Sequence, residues 1–264
     1  GITDFGVGAP ALYSELSPGQ VYFFSGKDGS ELLRLSKGGI DDQFGRTIDE
    51  LGDINNDGLL DFIVGAPKID SDDGTGSTGR AYVFSGLEGN TLYEFNGVEA
   101  GSRFGYSVSS SGDIDRDGIT DIAVSSSSDV HVYIYSGADG GLLRTIVTEE
   151  TMNVVSDIGD INDDGHADIA VGSPESDRNG LLSGLVSLYS GVDGTLLYEF
   201  EGSSNSRLGS FVEKVDDLDG DGNAEILMGS AYGTSEKGSA KVVSMVGDWD
   251  GDNVLNLNDR YPTI

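Results

Sequence analysis

Short runs of alternating apolar and polar residues recur along this chain between turns rich in glycine and acid, and they predict strands throughout. In QVYFFSGKDGSELL, RAYVFSGLEGNTLY, VHVYIYSGADGGLL and LVSLYSGVDGTLLY, β-branched and aromatic residues flank an Asp-Gly or Glu-Gly turn. That pattern predicts β-hairpins. Val130, Val132 and Ile134 then fall on one face of their strand, with His131, Tyr133 and Tyr135 on the other, because strand side chains alternate. No window keeps apolar residues at helical spacing, so no helix is predicted.

The turns between hairpins repeat as well. Asp53, Asp113, Asp160 and Asp217 open matching segments separated by 60, 47 and 57 residues. Phe44-Gly45, Phe104-Gly105 and Leu208-Gly209 each precede their turn by nine residues, whereas the third repeat has Thr151-Met152 in that slot. Twelve residues after each opening Asp stand Gly65-Ala66-Pro67, Ser125-Ser126-Ser127, Gly172-Ser173-Pro174 and Gly229-Ser230-Ala231. Gly8-Ala9-Pro10 fits the same slot, which sets Gly1 at the sixth position of a first loop whose opening acids are missing. Each repeat supplies about four short strands, so the expected fold is all-β: a β-propeller of four-stranded blades, one sheet per repeat. Five repeats are visible, the first and last incomplete.

The acidic turns carry the candidate chemistry. Asp53, Asn55, Asp57 and Asp61 hold positions 1, 3, 5 and 9 of a loop with Gly58 at position 6. Side-chain oxygens at alternate positions of a tightening turn converge on one point, and the carbonyl of Leu59 at position 7 adds another. This donor logic suits Ca²⁺, which accepts six to eight oxygens in a flexible shell, better than Mg²⁺ with its strict octahedron. The pattern recurs as Asp113, Asp115, Asp117, Ile119 and Asp121 with Gly118. It returns as Asp160, Asn162, Asp164, His166 and Asp168 with Gly165, and as Asp217, Asp219, Asp221, Asn223 and Glu225 with Gly222. Asp4 is the ninth-position acid left in the first loop. Two carboxylates about 4 Å apart repel by about 4 kcal/mol at an effective dielectric near 20, so such a loop favours a cation. The plainer alternative, acidic turns capped by their own backbones, accounts for one loop better than for four that share every slot.

These segments resemble FG-GAP repeats, the units of the seven-bladed propeller at the amino end of integrin α chains and of many bacterial extracellular proteins. The resemblance covers residues 1–246. It implies that the loops join the first two strands of a blade and hold calcium through the four sets above. The Thr151-Met152 and triple-serine departures touch strand packing and leave the ligand positions intact.

Residues 247–264 form a separate calcium-binding linker in this reading. Asp248, Asp250 and Asp252 occupy positions 1, 3 and 5, the Val254 carbonyl position 7, Asn256 position 9 and Asp259 position 12, with Asn253 in place of the usual glycine. The run resembles a thrombospondin type 3 repeat, although Asn258 and Tyr261 stand where that family has cysteine. It also resembles half a dockerin, without the second loop that a dockerin requires.

Composition narrows the function classes. The 264 residues include 46 acids against 15 bases, a net charge of -31, which argues against nucleic acid and anionic membranes as partners. Cysteine is absent, so disulfides and thiolate metal sites are excluded. No apolar run reaches the roughly 18 residues of a membrane span. Loops of this kind would stand largely empty at cytosolic calcium, so an extracellular or cell-surface location is expected.

The expected role is non-catalytic: recognition or adhesion toward an extracellular protein or glycan, with calcium as the cofactor. Two alternatives are a structural segment of a large surface protein, whose partners are copies of itself or further domains, and the propeller part of a secreted polysaccharide-degrading enzyme. His166 lies in a calcium loop and His131 on a strand between β-branched neighbours, and no nucleophile–base pair or Gly-x-Ser-x-Gly elbow is present. Abundant Asp and Glu leave a carboxylate pair open, and the discriminating feature is an acid outside the loops that faces a concave pocket beside Arg or Tyr. Trp249, the single tryptophan, falls in the tail loop, where shielding the linker explains it better than sugar stacking.

Overall fold

The computed structural model describes residues 3–11, 17–70, 76–86, 88–162, 164–218, 220, 224–231 and 238–244, and all its regular elements are strands. They fall into two compact units, Gly1–Ser110 with Ile119–Asn153, and Ser111–Gly118 with Val154–Ile264.

The first unit holds three sheets. The first is β1 (Phe5–Ala9), β2 (Gln20–Phe24) and β3 (Glu31–Leu35). The second is β4 (Ile48–Gly52), β5 (Asp61–Ala66), β6 (Arg80–Phe84) and β7 (Thr91–Asn96). The third is β8 (Phe104–Ser110), β9 (Ile122–Ser126), β10 (His131–Tyr135) and β11 (Leu142–Val147). The second unit holds β12 (Val154–Gly159), β13 (Asp168–Ser173), β14 (Leu185–Tyr189) and β15 (Leu196–Glu201), then β16 (Leu208–Val215), β17 (Glu225–Ser230) and β18 (Ser239–Val243). Every sheet is an antiparallel meander with its strands in chain order. The predicted hairpins are β2–β3, β6–β7, β10–β11 and β14–β15. In each turn the glycine, at φ 67 to 74°, donates its N–H to the carbonyl of a serine four residues back, as Gly140 does to Ser136 at 2.9 Å.

Packing between sheets makes the core. In the first unit Phe44, Phe62, Val64, Tyr82 and Phe84 are buried together, and Phe44 meets Phe84 edge-on at 6.0 Å. A second cluster joins Leu51, Ile54, Ile63 and Val83 to Phe104, Val108, Ile122 and Val124. The second unit buries Ile158, Ile161, Val186, Leu188, Phe200, Ile226 and Met228. Each large apolar side chain removed from water contributes about 1.5–3 kcal/mol. On β10, Val132 and Ile134 are fully buried while His131, Tyr133 and Tyr135 stay partly exposed, the alternation expected from sequence.

The recurrent glycines have a spatial meaning. A Cβ on Gly65 would sit 2.2 Å from the carbonyl oxygen of Gly105, and one on Gly172 would sit 2.4 Å from that of Gly209. The glycine of one repeat's Gly-Ala-Pro slot therefore lies directly on the glycine of the next repeat's Phe-Gly slot. Backbone meets backbone there, and no side chain fits between. The two departures from the pattern are the two halves of one such contact. Met152 takes a left-handed φ of 61° in the glycine slot, and the Ser125 hydroxyl donates to the carbonyl of neighbouring Asn153 at 2.6 Å.

Candidate metal centre

Three acidic loops are described well enough to be built from their residues upward, and each connects the first two strands of its sheet. In the first of them, the position-1 carboxylate of Asp53 accepts the amides of Asp57 at 3.0 Å and Gly58 at 2.8 Å. The chain curls around that side chain. Asn55 Oδ1 accepts the Asp57 amide at 2.8 Å, and Asp57 Oδ1 accepts that of Leu59 at 3.0 Å. Two left-handed residues permit the curl, Asn56 at φ 59° and Gly58 at 91°.

The other two loops repeat these bonds. Asp113 accepts Asp117 N at 3.1 Å and Gly118 N at 3.0 Å, while Asp115 Oδ1 accepts Asp117 N at 3.1 Å. Asp160 accepts Asp164 N at 3.1 Å and Gly165 N at 2.6 Å, and Asn162 Oδ1 accepts Asp164 N at 3.0 Å. In the loop between β16 and β17, Asp217 accepts Gly220 N at 2.6 Å. Asp219, Asp221 and Asn223 lie outside the described residues, as do Asp248, Asp250, Asp252, Val254, Asn256 and Asp259 of the tail.

Position 9 does something its spacing does not announce. Asp61, Asp121 and Asp168 are wholly buried, and Glu225 nearly so. Asp61 Oδ2 accepts Ile54 N at 3.0 Å, and its Oδ1 accepts Gly86 N at 3.2 Å. Asp168 makes the same pair with Ile161 N and Gly191 N, both at 3.0 Å. Asp121 accepts Gly137 N at 3.1 Å, Glu225 accepts Leu218 N at 2.7 Å, and Asp4 accepts Gly26 N at 2.9 Å. The ninth carboxylate thus ties its strand to the hairpin turn two strands on, and in several repeats to the loop's own start. A recurring signal marked that partner: Ser-Gly follows β2, β6, β10 and β14, from Ser25-Gly26 to Ser190-Gly191. In the loop opened by Asp53, Ser85 also reaches in, donating to Asp57 Oδ2 at 2.8 Å.

Electrostatics follow from burial. Desolvation pushes the Asp168 carboxyl up to about 6 against the pull of its amide bonds, with the Asp164 and Asp160 charges adding to the rise. Burial raises Asp61 as well. Asp57 moves the other way, held below the usual carboxylate range by hydrogen bonds from Asn55 and Ser85.

The donor set fits a hard cation. Asp113, Asp115 and Asp117 each place a carboxylate oxygen within 4.8 Å of the others. Oxygens at 2.3–2.6 Å from a shared Ca²⁺ lie at most about 5 Å apart, so the three fall inside that limit. Asn55 and Asn162 occupy the middle slot of the neighbouring loops with a neutral oxygen. Glu225 Oε1 is buried without a hydrogen-bond partner, an orphaned acceptor whose chemistry suits a cation ligand.

The FG-GAP-like repeat family matches residues 113–171, and the FG-GAP repeat matches residues 50–84 and 154–189. FG-GAP repeats are present over residues 50–84 and 113–189 of this chain. The matches take in the acidic loops opened by Asp53, Asp113 and Asp160 and the strands on either side of the first and third. Integrin alpha-5 of Xenopus laevis is 32% identical over 152 residues, 53% of this chain and 14% of that protein. Integrin alpha-3 of Cricetulus griseus is 37% identical over 136 residues, 48% of this chain and 13% of that protein. Integrin alpha-6 of Gallus gallus is 36% identical over 140 residues, 49% of this chain and 12% of that protein. The matched part of the chain therefore spans about an eighth of the length of these relatives. Among solved structures, Saccharomyces cerevisiae Sqt1, a WD40-like propeller, superposes with a TM-score of 0.57 at 13% identity, covering 90% of this chain and 57% of Sqt1. That likeness concerns the fold alone: the sheets are propeller blades.

Proposed function

We propose that this chain is a calcium-binding FG-GAP propeller module, secreted or displayed at the cell surface, that recognises a protein or glycan without catalysis. The observation that carries the reading is the convergence of Asp113, Asp115 and Asp117 on one point. Loops with the same backbone bonds recur around Asp53 and Asp160. The side chains of Asp53, Asn55, Asp57 and Asp61 and the Leu59 carbonyl hold one ion in this reading. The sets opened by Asp113, Asp160 and Asp217 hold three more, and the loop opened by Asp248 holds the fifth. When bound, calcium supplies charge neutralisation at the turn joining two strands, which fixes the blade and the surface it presents. At a free concentration 100 times its dissociation constant, each ion adds about 2.7 kcal/mol of stability.

Non-catalytic recognition is favoured by the cavity of about 540 Å³ between the first two sheets. Asp49 and Glu50 are acids outside the loops that line it, and none of the described lining residues is Arg or Tyr. Asp49 is engaged by the Ser109 hydroxyl at 3.0 Å and the Ser110 amide at 2.8 Å. Partners in this reading are an extracellular protein or glycan, with other copies or further domains of the same polypeptide as the second choice. Among the described residues no helix is long and apolar enough to cross a membrane. The test is immobilisation of the chain on a glycan and matrix-protein array, read in calcium and in chelator. Retention of a defined ligand in calcium alone supports the reading, and turnover of a polysaccharide overturns it.

A further inference from the structure

Within the second unit, two side-chain contacts join two of the acidic loops. Arg116 stands at position 4 of the loop opened by Asp113, between the Asp115 and Asp117 ligand positions. Its Nε donates to the carbonyl of Gly165 at 2.6 Å and its Nη2 to the carbonyl of Asp164 at 2.5 Å. Those carbonyls belong to positions 6 and 5 of the loop opened by Asp160. The guanidinium lies so close that a Cβ on Gly165 would be 1.7 Å from Nη2. A second contact runs the opposite way. His166, position 7 of the receiving loop, sets Nδ1 2.5 Å from the carbonyl of Ile114, so that nitrogen carries the hydrogen. Asn56, Asp163, Gly220 and Gly251 occupy position 4 in the other loops, so Arg116 is the one arginine at that position.

We propose that Arg116 couples cation binding at these two loops, so that an ion in the first raises the affinity of the second. The proposal rests on the calcium reading above. Arg116 sits at φ 65°, a left-handed value fixed by the turn it belongs to. An ion gripped by Asp113, Asp115 and Asp117 fixes the residues on both sides of Arg116 and hence the direction of its side chain. The planar fork then holds the Asp164 and Gly165 carbonyls, keeping the Asp160 loop curled before its own ion arrives. A lysine at this position would bring the charge without the two-pronged geometry. Coupling of this kind is reciprocal: each ion must favour the other by the same factor.

The test is a calcium titration of the full chain by NMR, with the amides of Gly118 and Gly165 reporting the two loops separately. Disabling the donor loop with Asp113→Asn, or with Asp115→Asn should the first fail to fold, is expected to weaken calcium at Gly165 about fivefold, the lower range of measured couplings. In an Arg116→Ala or Arg116→Lys background the same change is expected to move the Gly165 titration less than twofold. In chelator, Arg116→Ala is expected to speed amide exchange at Gly165 and His166. Equal weakening with and without Arg116, or a Gly165 titration indifferent to Asp113→Asn, overturns the coupling while leaving calcium binding intact. Silence of both amides toward calcium overturns the coupling and the calcium reading together.

Discussion

The hydroxyl of Ser125 donates to the carbonyl of Asn153 at 2.6 Å, where every other repeat pair with both slots described sets glycine against glycine. A serine side chain needs room that a Gly–Gly contact lacks. On the opposing side Met152 adopts, without being glycine, the left-handed backbone that Gly45, Gly105 and Gly209 take in the other pairs. The two departures meet in one hydrogen-bonded contact.

Gly105→Ala follows from the same geometry. A Cβ there meets the carbonyl of Arg80 at 2.2 Å, and the backbone at φ 80° is strained for any L side chain. The clash is with main chain and has no rotamer to relieve it. Destabilisation of at least about 3 kcal/mol is expected from overpacking and left-handed strain, read as a lower midpoint in urea. Ser125→Ala, which removes the hydroxyl that donates to the Asn153 carbonyl, should cost about 1 kcal/mol.

Asp61→Ala tests the structural duty of position 9. The substitution leaves the amides of Ile54, Asn55 and Gly86 without their acceptor. Buried unsatisfied donors cost about 1–3 kcal/mol each, so a loss of about 3 kcal/mol or more is expected even in chelator. A variant as stable as the parent in chelator would show that Asp61 acts on the ion alone.

Asp168 gives a pH dependence whose sign is fixed by burial. Its folded value of about 6 lies above the ordinary 3.8, so the folded state holds the proton more tightly than the unfolded one. The contribution to stability is therefore fully present below about pH 4 and is lost as pH rises through 6. The gap corresponds to about 3 kcal/mol. In chelator, the stability of the parent relative to Asp168→Asn should fall by about that much between pH 4 and 7, measured by urea unfolding at each pH. Saturating calcium should flatten the difference by stabilising the ionised form.

Much of this architecture was legible from spacing. Alternation placed Val132 and Ile134 in the core, the Asp-Gly and Glu-Gly turns placed the hairpins, and the one-three-five rhythm placed Asp113, Asp115 and Asp117 around a point. Spacing reports which side chains can converge, and it is silent on which backbone they touch. Hence Asp61 and Asp168 read as equal members of a ligand set, while the fold uses them as buried anchors for hairpin turns more than 20 residues away in sequence. For the same reason Ser125 and Met152 read as two separate irregularities, and spacing did not single out Arg116 at all. Their partners lie in the next repeat, and no local pattern encodes that neighbour.

Calorimetric titration of chelator-stripped protein with calcium, paired with thermal melting in calcium and in chelator, tests the central claim most directly. The account predicts about five ions bound, oxygen-coordinated, and a melting temperature that rises with free calcium. No heat of binding, together with identical melting in calcium and chelator, would contradict it.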